Sequence, residues 1–336
     1  MKVSIRDISR ELGLSLATVS NALNHKPGVS DKTTKLVLKT ADEMGYKRHR
    51  KIDCITFILV RKSGRILDEG EFHPAVMDGA EREAHKYNLP INYTTINLSD
   101  PTAAPQIKTL CNDINNSGLI LLGTEMDEED YVPFYNCHAP LVIVDGWCTH
   151  AFIESIVTSN ESSAYNAVHY LINKGHKKIG YIRGNPSIRN FPLRQRGYRR
   201  ALEEAGLKPN PKYQVTVGTT FSSAYVSSKE WLDKPGNISN LPTAFFAEND
   251  IMACGMMRAL LKKGIGVPGD VSLVGFDDMP VATAMLPGLT TIHVPKHDIG
   301  AIAVRKLIEQ IRTPHAYTCV THISTTFIER GSVQQL

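Results

Sequence analysis

Ser15-Leu-Ala-Thr-Val-Ser-Asn-Ala-Leu-Asn24 lies between a short capped segment and the turn at Pro27-Gly28. Its phase decides how the amino-terminal fifty residues fold. Val19 and Leu23 repeat at i, i+4, the spacing of one apolar helical face. Ala17, Ser20, Asn21 and Asn24 fall at i, i+3, i+4, i+7 on the other side, so that face is small and uncharged. A helix that needed only solvation would carry Lys or Glu there. Short hydrogen-bonding side chains suit close approach to a phosphodiester and to base edges. Upstream, Ser4 with Asp7 reads as a capping box, Ile8 and Leu12 give an apolar stripe, and Gly13 ends the helix. Downstream, a third helix opened by Ser30 and running through Leu36, Val37, Ala41 and Met44 to Gly45 is expected to cover the other two. The pattern implies a three-helix unit of the helix-turn-helix kind.

Charge points the same way. Residues 1–51 carry eleven Lys or Arg against five acids, a net of +6, whereas the whole chain of 336 residues sums to +4. A basic head on a near-neutral body is the footprint of a nucleic-acid module, although a Lys-rich helix alone is usually just a solvated face.

With 42% hydrophobic residues the chain has ample material for a large core, and its length fits two to three domains. No export signal and no membrane-length apolar run are read, so a cytoplasmic protein without membrane contact is expected. The six cysteines, scattered without a C-x-x-C pair, read as buried thiols and give neither a disulfide frame nor a metal site. No cofactor is expected.

From Ile52 onward short apolar runs alternate with helix-period segments. Residues 55–60, 119–122, 141–144, 179–182, 243–247 and 271–274 read as strands buried on both faces, as in parallel sheets. Helices are expected over 73–87, 162–174, 193–205, 251–263 and 299–311. The fold class is therefore α/β, a helical head followed by a doubly wound body of two lobes with a cleft at the strand tips.

An enzymatic reading fails on context. Gly264-Ile-Gly-Val-Pro-Gly269 matches G-x-G-x-x-G, yet it follows a helix and precedes a strand, the reverse of a dinucleotide site. A nicotinamide-dependent oxidoreductase is the weakest alternative. A solute-binding protein of transport would share the body but not the head.

The chain resembles the lactose-repressor/galactose-repressor (LacI/GalR) family of transcription regulators over essentially its full length. The resemblance rests on Ile5-Arg-Asp-Ile8, Ser15-x-Ala-Thr-Val-Ser20, Leu23-Asn24, Val29-Ser30, Gly45-Tyr46, Gly175-His176, Arg194-Gln-Arg-Gly-Tyr198, Phe246-Ala-Glu-Asn-Asp250, Val267-Pro268, Val274-Gly-Phe-Asp-Asp278 and Leu289-Thr-Thr-Ile292. It implies a body similar to periplasmic sugar-binding proteins, an effector held between lobes, and a homodimer acting as a repressor on double-stranded operator DNA. The expected division is a head at 1–46, a basic linker at 47–52, and a body at 53–336. Within the body, 53–158 with 288–323 and 159–287 with 324–331 form the lobes, with crossings near Ser159, Pro287 and Ser324. No leucine-heptad tail follows, so a dimer rather than a tetramer is expected.

The resemblance also assigns roles. Base contacts are expected from Leu16, Ala17 and Asn21, with Leu16 equally placed for the head's core. Phosphate contacts are expected from Ser4, Ser15, Thr18, Ser20, Asn24 and Ser30. For the effector, expected to be a mono- or oligosaccharide although relatives also bind nucleobases, the residues are Arg194, Phe72, His73, Asn249, Asp250, Asp277, Asp145 and Trp147. Four of these have a plainer reading: Asp277 as a helix cap, Arg194 as a surface ion-pair partner, His73 and Trp147 as packing. One departure stands out. Tyr46 passes through Lys47-Arg-His-Arg-Lys51 straight into Ile52, leaving no room for the family's apolar hinge helix.

Overall fold

In the computed structural model, residues 3–23, 28–44, 46, 52–64, 66, 72–113, 117–313 and 317–336 are described. The head consists of α1 (Ile5–Leu12), α2 (Leu16–Leu23) and α3 (Asp31–Glu43). They close on Ile8, Val19, Ala22, Leu23, Val37 and Ala41. Their starts are fixed locally. The Asp7 carboxylate accepts from Ser4 N at 2.8 Å, Ser15 Oγ accepts from Thr18 N at 3.0 Å, and Ser30 Oγ accepts from Thr33 N at 3.2 Å. Gly13 ends α1 at φ +64°, a conformation that costs glycine little. Leu36, expected to cover the other helices, is 50% exposed instead, because Val37 and Ala41 set the buried phase of α3. Asn24, Pro27, Gly45 and the linker residues 47–51 lie outside the described residues.

The body begins with β1 (Cys54–Arg61), α4 (Phe72–His85), β2 (Ile91–Asn97), α5 (Ala103–Asn112), β3 (Ser117–Leu122), β4 (Leu141–Val144) and β5 (Glu154–Thr158). It continues through α6 (Asn160–Asn173), β6 (Ile179–Asn185), α7 (Asn190–Glu204), β7 (Gln214–Gly218), α8 (Phe221–Leu232), β8 (Ala244–Ala247), α9 (Asp250–Lys262) and β9 (Ser272–Val274). The chain closes with α10 (Pro280–Ala284), β10 (Thr291–His293), α11 (Lys296–Arg312), β11 (Val320–Ile323) and β12 (Thr326–Ile328). Two parallel sheets result, in the orders β11-β5-β4-β3-β1-β2 and β7-β6-β8-β9, with β10 and β12 paired antiparallel. Strands β3 and β4 are buried throughout, as expected of strands covered on both faces.

The chain moves between sheets after β5, between β10 and α11, and between β11 and β12. The second passage falls near Pro295 rather than near Pro287. Gly275 N donates to Thr290 O and Asp277 N to Ile292 O, both at 2.9 Å, so residues 289–293 extend the second sheet's edge. Leu289 is buried in that lobe's core, and this burial holds the segment there. Helix α11 then crosses back onto α4. At that crossing a Cβ on Gly300 would lie 1.9 Å from Val76 O, so only glycine allows the approach.

All six cysteines are free, and Cys54, Cys137 and Cys319 are only half-buried, a correction to their expected burial. Among the described residues no helix is long and apolar enough to cross a membrane.

Candidate functional site

The outer face of α2 is assembled from its two burial phases. Val19, Ala22 and Leu23 turn inward, Ala17 is exposed, and Thr18, Ser20 and Asn21 are half-buried. Leu16 is 47% exposed, which removes it from the head's core and puts it beside Ala17. The hydroxyls of Ser4, Ser15 and Ser30 are engaged with Asp7, Thr18 and Thr33. At these three helix starts it is the remaining backbone N–H groups that suit a phosphate.

A second cluster forms between the lobes, where the strands end. Phe72, His73, Asp145, Arg194, Asn249 and Asp277 line one cavity of about 50 Å3. Two larger cavities, about 380 and 410 Å3, sit at the amino ends of the first sheet's strands, away from the carboxyl ends where ligands of doubly wound sheets bind.

Arg194 is the hub. It is 4% exposed and its guanidinium lies 3.7 Å from the Phe276 ring centroid. Nε donates to Asn160 Oδ1 at 2.8 Å, Nη1 to the Glu248 carbonyl, and Nη2 to Asp277 Oδ1 at 3.3 Å. The plainer reading of Arg194 as a surface ion pair is thereby excluded. Asp145, held at φ +54°, accepts from Asn190 Nδ2 at 2.8 Å and from Thr124 Oγ1 at 2.7 Å. Burial nevertheless pushes its carboxyl up to about 6. Burial also raises Asp277, against the pull of Arg194. It lowers His73 to about 4, so that imidazole is neutral, with Nε2 3.2 Å from Thr124 Oγ1 and Nδ1 unpartnered. Asn249 caps α9 through Oδ1, which accepts from Met252 N at 2.9 Å. Phe72 packs edge-on against His73.

Two expected ligand residues are elsewhere. Asp250 is wholly buried and ties loops together, accepting from Met279 N at 2.7 Å and Thr291 Oγ1 at 2.5 Å. Trp147 does not line the cavity; it lies under Arg189, with the guanidinium 4.2 Å from its ring centroid. Sequence reasoning missed Thr124, Asn190 and Glu125. Asn190 had a signal, since it lies four residues before Arg194 and so one helical turn away on the same face. Glu125 had none. Its carboxylate gathers the N–H groups of Lys62, Ser63, Gly64 and Ile66 at 2.8–3.1 Å, and Ile66 forms part of the cavity wall.

The carboxyls of Asp145, Asp277 and Glu248 thus feel one guanidinium, and each of that guanidinium's nitrogens has a protein partner. Burial lifts Asp250 to about 8 and Glu248 to about 7. Raised values mean that the folded chain keeps protons the unfolded chain has released. Their contribution to stability is full below about pH 4, the unfolded carboxyl range, and declines as pH rises through about 8. Asp250→Asn removes one titrating group while keeping an acceptor for Met279 N. Urea denaturation between pH 5 and 8 is expected to give a shallower decline for this variant than for the parent. An unchanged slope would show that Asp250 is already ionised in the folded state.

The chain matches the model of the bacterial regulatory proteins, lacI family, over residues 4–49, and that of the periplasmic binding protein-like domain over 168–333. It is 30% identical to catabolite control protein A of Priestia megaterium over 314 residues, covering 91% of this chain and 92% of that protein. Two solved structures share the fold at 22% identity. The transcriptional regulator CelR–cellobiose complex gives a TM-score of 0.73, covering 98% of this chain and 100% of that one. The lac repressor dimer bound to operator and an anti-inducer gives 0.71, covering 99% and 100%. A helix-turn-helix head, a two-lobed parallel body with a polar cleft at its strand tips, and similarity along the whole length agree: the chain belongs to the lacI family of bacterial regulatory proteins and is a DNA-binding regulator, not an enzyme.

Proposed function

We propose that this protein is a cytoplasmic repressor that binds a near-palindromic operator as a homodimer, and that an uncharged saccharide held between its lobes alters that binding. The head at 1–46 would read DNA, the linker at 47–52 would track phosphates, and the body at 53–336 would dimerise and take the effector. The lac repressor structure, a dimer on its operator, and the CelR complex, with cellobiose, are relatives in fold that behave this way.

One observation carries the ligand class. Arg194, the cation at the cavity, gives one donor from each of its three nitrogens to Asn160, Glu248 and Asp277, while Asp145 and Asp277 face the same space. Buried carboxylates repel a phosphate or carboxylate ligand and accept from sugar hydroxyls. Asn249 Nδ2 supplies a donor, and Phe72 an apolar ring face.

The linker supports a second part of the reading. Ten residues separate the end of α3 from β1, and no apolar wedge stands among residues 47–51. Coupling would then run through dimer geometry, with less operator bending than an inserted hinge helix produces.

Thermal-shift titration of the full chain with ribose, glucose and cellobiose, each beside a phosphate ester, tests the ligand class. At least one neutral sugar is expected to raise Tm, a ligand at 100 times its Kd adding about 2.7 kcal/mol. The esters are expected to do nothing. Stronger stabilisation by an ester would overturn the proposed charge rule.

A further inference from the structure

At the rim of the cleft, one side chain of the second lobe holds three groups of the first. Arg189 stands at the start of α7. Its guanidinium covers the Trp147 ring at 4.2 Å, Nη1 donates to Trp147 O at 2.5 Å, and Nη2 lies 3.0 Å from Glu128 Oε2. Glu128 is itself fixed on the first lobe, where Oε1 accepts from Thr149 N at 2.7 Å and His150 N at 3.0 Å. Burial pushes this carboxyl up, but those donors win and hold it at about 2, so it is charged at neutral pH. Neither Arg189 nor Trp147 lines the cavity, while both neighbours of Arg189, Ile188 and Asn190, do.

We infer that Arg189 is a positioning residue that latches the lobes together by clasping Trp147 and Glu128, so that admitting a ligand requires this clasp to break. The cavity of about 50 Å3 is far below the roughly 300–1,000 Å3 of small-molecule sites, so a saccharide needs the lobes to part. Parting them moves Ile188 and Asn190 away from Asp145, and Arg189 must move with its neighbours. Asn190 bonds Asp145 inside the gap, but that bond can be replaced by a ligand hydroxyl; the Arg189 clasp lies outside and cannot. The residue type matters as well. A planar guanidinium stacks on an indole while its edges donate, which an ammonium cannot do. The ion pair is about four-fifths buried on both sides, so solvent screens it only in part.

The inference rests on the cleft being the effector site, but its test needs no effector. Hydrogen exchange by mass spectrometry on the full-length protein compares the parent with Arg189→Ala and Arg189→Lys. Loss of the ion pair and the stacked ring is expected to speed exchange about tenfold at cavity amides distant from the substitution, at Thr124 and over 249–252. Lysine, keeping the charge without the stack, is expected to fall between. Acceleration confined to 147–150 and 186–192, or none, would overturn the latch and leave the saccharide reading standing. A failed sugar titration with faster exchange at the cavity would do the reverse.

Discussion

Arg194→Ala will remove the response to effector and destabilise the body by about 3–5 kcal/mol, the usual cost of removing one partner of a buried charge pair. Three acceptors lose their donor at once: Asn160 Oδ1, the Glu248 carbonyl and Asp277 Oδ1. Asp277 would then face Asp250 and Asp145 with Lys296 as its remaining cation, although each of the three carboxyls is already raised by burial. Arg194→Lys keeps the charge but cannot reach three acceptors in different directions, and is expected to recover less than half of the loss. Urea denaturation of the full chain measures the stability, and operator binding with and without a stabilising sugar measures the response. A loss under 1 kcal/mol with the response intact would remove Arg194 from the centre of the account.

The second large effect belongs to the head. Asn21 shares the outer face of α2 with Ala17 and Leu16, and an amide pairs with adenine N6 and N7 as arginine pairs with guanine O6 and N7. Asn21→Arg is expected to shift one half-site position from adenine to guanine, with discrimination of about 1–3 kcal/mol. Binding-site selection with both variants checks this, and the same base for both would refute the assignment. Leu16→Ala is expected to weaken operator binding with little change in stability, because half of this side chain is exposed.

Local signals made the head readable. Capping serines, Gly13 and the i, i+4 pairs act within one or two helical turns, so they depend little on the rest of the fold. Phase inside α3 was harder, since Leu36 and Val37 are adjacent apolar residues and only packing decides which turns inward. In the body, the runs over 119–122 and 141–144 announced buried strands. Strand β5 did not, because it opens with Glu154, whose charge is accommodated by Lys306 at 3.6 Å and by Cys319 N at 3.0 Å. The placement of Arg194 at the cavity was legible in the sequence, and placement was obscure where the approach of distant loops decides it. Asp250 and Asn249 are neighbours in sequence, yet one is wrapped by Met279 and Thr291 while the other faces the cleft. Trp147 carried the right location and the wrong partner, which only the packing of α7 against the first lobe supplies.

In this protein a basic three-helix head is expected to read a specific duplex, and the two-lobed body to tune its grip. Fluorescence anisotropy of the full-length protein with duplexes from its own upstream region, against random duplexes of equal length and across a salt series, tests it most directly. A preference of at least about a thousandfold for one near-palindromic site is expected, with affinity falling steeply as salt rises. Equal affinity for both kinds of duplex at every ionic strength would contradict it.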